Sequence, residues 1–421
     1  MPGTDPPPTA PDGDQASAPR PSRYGALGHR NFRLYFAGHL TSLLGWSMHS
    51  VAQPWLVLLL TGSPFYVGLV SMLGTLPIMF LSLYGGLIAD RFPRQRLLLV
   101  TQSAAMVIAL GLATVVLLDV VTLAHVMIAA TLLGVTAAFD IPGRQSFIAD
   151  LVGKGDLMSA VALNSASFNG SRVVGPGIAG VLIGVVGVGA CFLINGISYL
   201  ALIFALLVMR FRPTVDRPDQ VARRSTVRDG LVYVASDKRM LVLVMLIAIA
   251  SVFGFPFYIL LPVMARNVMG LGAVAFGWMV SAAAAGAVVA ALGLATLGHR
   301  IPKGRTISLA APVFGLLVAS LGYAPSFGVL IVLLVLTGFF QVVHTATTNT
   351  LLQFFARDEL RGRVMSVYSL AFLGLMPLGS LLAGAVASRW SPAAWLSVSG
   401  LICAGLMLGV LRWAPEIRAT R

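Results

Sequence analysis

Apolar runs, each close to the roughly 20 residues that carry a helix across a bilayer core, alternate along the chain with short polar turns. Six fall near 34–60, 66–89, 97–118, 123–143, 158–186 and 190–209, and six more near 240–265, 273–298, 306–323, 327–349, 364–388 and 393–412. Lipid offers the backbone no hydrogen-bond partners, so such runs must be helical. The pattern predicts an all-α membrane protein of twelve transmembrane helices in two six-helix bundles, 31–209 and 240–413, joined by a polar linker at 210–239. Residues 1–30 read as a disordered tail, most plainly over the Pro-, Ala-, Gly-, Asp- and Ser-rich stretch from Met1 to Ser22, which has too little apolar surface to offset its chain entropy. Residues 414–421 read as a second tail. No short apolar leader with a cleavage site precedes the first run, and the N-terminus is expected to be retained.

Arginine and lysine set the expected orientation. Arg91, Arg94 and Arg96; Arg144 and Lys154; the Arg210 to Arg239 stretch; Arg300, Lys303 and Arg305; and Arg357, Arg361 and Arg363 fall in alternate loops on one side, against Arg266 and Arg389 on the other. The excess puts that side, the linker and both tails in the cytoplasm of a bacterial-type plasma (inner) membrane. Composition then works by exclusion. A hydrophobic share of 57%, a charged share of 10% and a mean hydropathy of +0.88 exceed what a soluble globule of 421 residues can hide. The net charge of +14 marks helix ends rather than one continuous basic surface, so no nucleic-acid partner is expected. Cys191 and Cys403 both sit inside apolar runs, which indicates neither a disulfide nor a zinc site, and no cofactor or metal is expected. No G-x-x-x-x-G-K-[ST] sequence is present, so ATP is not the direct energy source. Catalytic residues are not expected, and the chain does not read as an enzyme.

The two bundles are internally related. ADRFPRQR at Ala89 to Arg96 aligns with GHRIPKGR at Gly298 to Arg305 at an offset of 300 − 91 = 209 residues. The same offset places Gly45 on Gly254, Trp46 on Phe255 and His49 on Tyr258. Such a repeat implies a pseudo-twofold axis and a cavity where the halves meet near the bilayer midplane.

Gly86 to Arg96, GLIADRFPRQR, resembles the loop signature G-x-L-A-D-R-x-G-R-[KR] of the major facilitator superfamily, with Pro93 in place of its glycine and Gln95 in place of a basic residue. In the second copy His299 stands where the first has Asp90. In the fifth run SRVVGPGIAG, with Ser171, Arg172, Gly175, Pro176 and Gly180, is similar to the antiporter signature of superfamily exporters. The alternative is a tight helix crossing built on the small-residue stripe Ser171, Gly175 and Ala179. Leu157 to Asn164 and DELRGRV at Asp358 to Val364 further resemble the branch that contains the enterobactin exporter and related drug and siderophore efflux proteins. The resemblance implies a cytoplasmic gate of Asp90, Arg91, Arg94, Asp140 and Arg144. In it Asp90 caps the eleventh helix, Arg94 pairs with a carboxylate of the fourth, and Asp140 is the acid available there. The alternative is that these charges only set topology.

Ionisable groups inside a membrane are costly and mark partners or cavities; here they are His39, His49, Asp140, Arg172 and His344. Ser42, Trp46, His49 and Gln53 share one face of the first helix by spacing, Asn164, Phe168 and Arg172 one face of the fifth, and Gln341 and His344 one face of the tenth. With Phe255 and Tyr258 on the seventh, they outline an aromatic, hydrogen-bonding solute cavity, since the superfamily lines its cavity with these spans. The expected function is a secondary active exporter of a small amphipathic or aromatic solute, a drug, siderophore or secondary metabolite, working as a monomer by alternating access with proton antiport. An importer or symporter of the same fold, or a non-transporting membrane sensor, are the alternatives.

Overall fold

A computed structural model of the chain describes residues 25–209, 227–298 and 300–420, apart from the side chains of Leu83, Asp90, Lys154 and 227–229. Twelve helices among these residues are long and apolar enough to span a membrane. In the first half they are Arg30–Thr61, Pro64–Arg91, Arg94–Leu117, Leu123–Gly153, Gly155–Val185 and Val188–Val208. In the second they are Lys238–Val268, Ala273–Leu297, Lys303–Leu321, Phe327–Phe355, Asp358–Arg389 and Pro392–Trp413. They are called spans one to twelve.

Local chemistry fixes where the helices start. Pro64 and Pro392 occupy first-turn positions that need no N–H donor. Ser326 and Ser391 accept hydrogen bonds from Val329 N and Ala394 N, and Thr122 with His125 forms a reciprocal cap on span four. Asp237 caps span seven, accepting from Arg239 N at 2.8 Å, and the Arg239 side chain holds the Asp237 carboxyl below the usual carboxylate range.

Some expected boundaries move. Spans four and five are separated by a single non-helical residue, Gly153, at φ 67°, a conformation glycine adopts at little cost. Arg144, expected in a loop, is therefore inside span four, one turn beyond Asp140. Residues 25–28, expected in the tail, form a 3-10 turn held by Ala26 N donating to Ser159 Oγ at 3.2 Å and by a His29–Asp156 ion pair at 2.8 Å. At the other end Pro415–Ala419 forms a 3-10 turn against span nine, with Gly304 N donating to the Thr420 carbonyl. The part of the expected tail at 1–24 and the linker stretch 210–226 lie outside the described residues, as does His299; the rest of the linker includes a helix, Val227–Ser236, packed on the start of span eleven.

The repeat is visible in the packing. Span two packs on span four as span eight packs on span ten, and span three on span six as span nine on span twelve. The tight crossings fall at related places: Gly134 lies against the Gly74 carbonyl and Gly338 against that of Ala283, where the carbonyl residues are 283 − 74 = 209 apart and the glycines 338 − 134 = 204. The halves meet through span five on span eight and span two on span eleven.

Candidate solute pathway and gates

Both inter-half crossings are made by backbone against backbone, which only glycine allows. A Cβ built on Gly180 would stand 2.7 Å from the Ala273 carbonyl oxygen and 3.1 Å from Gly277 Cα. One on Gly384 would stand 2.7 Å from the Pro64 carbonyl oxygen and 3.1 Å from Gly68 Cα. Nearby, Arg266 Nη1 donates to the Leu58 carbonyl at 2.8 Å, and Trp55 stacks on Phe276 at 5.9 Å. All four contacts cluster at the end of the bundle marked by Arg266, opposite the basic loops.

The signature residues of span five divide between two neighbours. Ser47 Oγ of span one donates to the Ser171 carbonyl at 2.8 Å, and Gly175 lies against the Ser47 side chain. Pro176 and Gly180 face Gly277 of span eight. The Gly-Pro pair thus sits where span five meets both its own half and the other.

Arg172 projects beside an aromatic pair: its Cζ is 5.7 Å from the Phe168 ring centroid, and Phe168 stacks on Trp46 at 6.2 Å. Trp46 and Phe168 are 42% and 39% exposed, and among the described residues no carboxylate pairs with Arg172. On the other half the Tyr258 hydroxyl donates to Gln341 Oε1 at 3.3 Å. Gln53 is half-buried and bonded to His49 Nε2 at 2.8 Å. The arrangement offers a flat aromatic surface, one cation and neutral hydrogen-bonding groups, suited to an amphipathic solute that is neutral or anionic.

Several residues expected in that cavity are elsewhere. Phe255 is 2% exposed and packs on Phe314 and Phe372. A π-helical turn at Ala250–Gly254 adds a residue to the coil, rotating the rest of span seven by about 100°, so the 209-residue equivalence of Trp46 and Phe255 in sequence does not survive as an equivalence of environment. His344 has no exposure and stacks on Phe314 at 6.3 Å. Ser42 is buried. His49 is buried too, its ring edge-to-face with Phe192 of span six at 5.1 Å. Asn164 lies beside His39.

The expected gate also rearranges. Arg94 pairs with Asp150 at 2.5 Å and donates to the Ser146 carbonyl at 2.8 Å, not with Asp140. Span three begins at Arg94 beside the last turns of span four, where Asp150 stands. Asp140 lies ten residues deeper (150 − 140 = 10), or about 15 Å along the helix axis. It accepts from Thr101 Oγ1 at 2.8 Å, Gln102 Nε2 at 2.7 Å and Arg144 Nε at 3.1 Å. Arg144 also donates to His39 Nδ1, and Tyr35 stacks on His39. Every member of this cluster belongs to the first half, so Asp140 and Arg144 tie spans one, three and four together rather than bridge the halves. Arg91 is exposed, and the Asp90 side chain, with its expected cap on span eleven, lies outside the described residues. Thr101, Gln102 and Asp150 are absent from the expected set, although a Thr-Gln pair inside an apolar run is a visible signal.

Residues 21–420 match the family model described as transmembrane secretion effector. The chain belongs to this family of the major facilitator superfamily. Relatives span nearly the same length. The staphyloferrin A transporter of Staphylococcus aureus is 27% identical over 88% of this chain and 92% of its own. The multidrug efflux pump Tap of Mycolicibacterium fortuitum is 28% identical over 90% and 94%, and the enterobactin exporter of Escherichia coli 25% over 93% and 94%. The nucleoside transporter NupG has the same fold, with a TM-score of 0.69 at 12% identity over 93% of this chain and 100% of that one. So does a bacterial Spinster homologue in an inward-facing, unoccupied conformation, with a TM-score of 0.69 at 13% identity over 94% and 96%. This family member is thus a multi-pass membrane protein of transporter fold.

Proposed function

We propose that the chain is a secondary active exporter of a small amphipathic or aromatic solute, such as a drug, siderophore or secondary metabolite. It works as a monomer in a bacterial-type plasma membrane with both termini cytoplasmic, by alternating access with proton antiport. The observation that carries this reading is the exposed Trp46–Phe168–Arg172 surface on one half, with Tyr258 and Gln341 on the other, while the halves close on glycine at the Arg266 end. With the basic loops inward, solute enters from the cytoplasm, rests on the aromatic surface with Arg172 as counter-charge, and leaves when the glycine crossings part. The reverse state closes the basic end. There Asp90 approaches the N-terminus of span eleven, a contact worth about 0.3–1 kcal/mol, with Arg91 and Arg94 alongside; contacts this weak can be made and broken in each cycle. The efflux-pump and exporter names of two of the relatives support the direction.

Everted vesicles offered a panel of siderophores and aromatic drugs should accumulate at least one of them only while a proton gradient is imposed. Uptake confined to right-side-out vesicles would make the chain an importer, and accumulation indifferent to the gradient would remove the antiport. Within that assay Tyr258→Phe should weaken solute affinity by about 0.5–1.5 kcal/mol, the worth of one hydrogen bond, and Arg172→Ala should weaken anionic solutes more than neutral ones. Calorimetric titration in detergent reads both.

A further inference from the structure

Spans eight and ten touch where Gly286 lies against the Val335 carbonyl and Gly338 against that of Ala283, and they diverge toward the basic loops. The divergence leaves a groove of about 280 Å³. Gly293 and Leu297 of span eight and Leu309 of span nine wall it, Phe339 and Phe340 of span ten form its floor, and Ile301 stands at its mouth. Nothing lies within 4 Å of a Cβ built on Gly293, and Leu297 and Leu309 are 51% and 63% exposed. The lining belongs wholly to the second half and contains none of the solute-path residues. It sits on helices that cross the membrane, so hydrocarbon surrounds it.

The mouth has the opposite character. Ile301 is followed within four residues by Lys303 and Arg305, Arg305 is exposed, and among the described residues no carboxylate pairs with either. Symmetry does not oblige the groove: in the first half Gly85 closes directly on the Ala138 carbonyl, whereas its repeat equivalent, Leu294 (294 − 85 = 209), lines the opening.

We propose that the groove binds an anionic phospholipid, with one acyl chain along Phe339 and Phe340 and the phosphate on Lys303 and Arg305. A chain laid on packed rings gains dispersion contacts that fluid lipid does not hold in place. Two cations on the first turn of span nine, close in the chain to the lining residues Ile301 and Thr306, select a headgroup with net negative charge over a zwitterionic one.

Native mass spectrometry of the full chain in detergent, titrated with phosphatidylglycerol and with phosphatidylcholine of the same acyl chains, tests this. Phosphatidylglycerol should be retained roughly tenfold or more better than phosphatidylcholine, as two surface cations imply. Lys303→Gln combined with Arg305→Gln should erase that preference and leave the weaker binding of both lipids. Gly293→Phe, filling the open space, should weaken both lipids, and Leu309→Trp on the facing wall repeats the test should the first variant fail to fold. Inorganic phosphate in excess should displace neither lipid. Equal retention of the two lipids, a preference that survives loss of both cations, binding unchanged in the two folded groove variants, or displacement by inorganic phosphate would each overturn the proposal.

Discussion

Gly277→Val should drive the protein out of its present conformation, opening the end that carries Arg266. The Gly277 backbone faces Pro176 and Gly180 across the halves, and no rotamer removes a β-carbon from that contact. Overpacking of a tight crossing costs about 1–3 kcal/mol, which moves a two-state population by about 5- to 150-fold. Gly384→Val, at the span two to span eleven crossing, should act the same way, while Gly111→Ala, with nothing within 4 Å of its added carbon, should change nothing. Spin labels at Ser63 and Leu271, in the loops of the Arg266 end, read the effect by pulsed resonance: the distance should lengthen in the two valine variants. Solute binding should persist while net transport falls, because each cycle must pass through the state that valine disfavours. A distance unchanged in both variants, with folding intact, would mean that these crossings are not the moving contacts.

Arg144→Leu should destabilise the fold more than the double change Asp140→Leu with Arg144→Leu. The Asp140 carboxylate and Arg144 guanidinium are both largely buried in a membrane span, and removing one leaves the other charge without its counter-ion. Breaking a buried pair from one side costs about 3–5 kcal/mol. Replacing both by apolar groups removes the desolvation cost along with the attraction, so part of that loss should be recovered, the remainder being the acceptor that Thr101 and the buried Gln102 amide lose with Asp140. Thr101 and Gln102 would still donate to Asp140 in the single variant, which keeps the loss toward the lower figure. Thermal unfolding of purified protein in detergent, followed by intrinsic fluorescence for all three variants, gives the comparison. Equal melting temperatures for the single and double variants would mean that the two charges are not coupled.

The latch and the buried cluster show how far a motif reaches. The superfamily resemblance has Arg94 meet a carboxylate of span four, and it does, but the acid is Asp150 rather than Asp140. The reason is the continuity of span four up to Gly153: a helix expected to stop near residue 143 runs on and carries Asp150 to the level of the span three N-terminus. The same continuity puts Arg144 on the helix face of Asp140, four residues away. Periodicity could not have settled this, since a charged stretch at a helix end reads equally as loop or as helix.

Sequence alone determined the twelve spans, the two-half repeat and the superfamily, because hydropathy over a bilayer's width and a 209-residue internal offset are properties of the chain taken linearly. It also placed glycine and proline of span five at a point of close approach. Which polar groups meet was set by packing. Spacing put Ser42, Trp46 and His49 on one helix face, yet neighbouring spans cover Ser42 and His49 and leave Trp46 open. A π turn in span seven turned Phe255 into the core, where its sequence equivalent Trp46 faces out. Helical spacing fixes the angle at which a side chain leaves its own axis; what it meets depends on how the helices are packed and where one gains a residue, and those are set by contacts far apart in the chain.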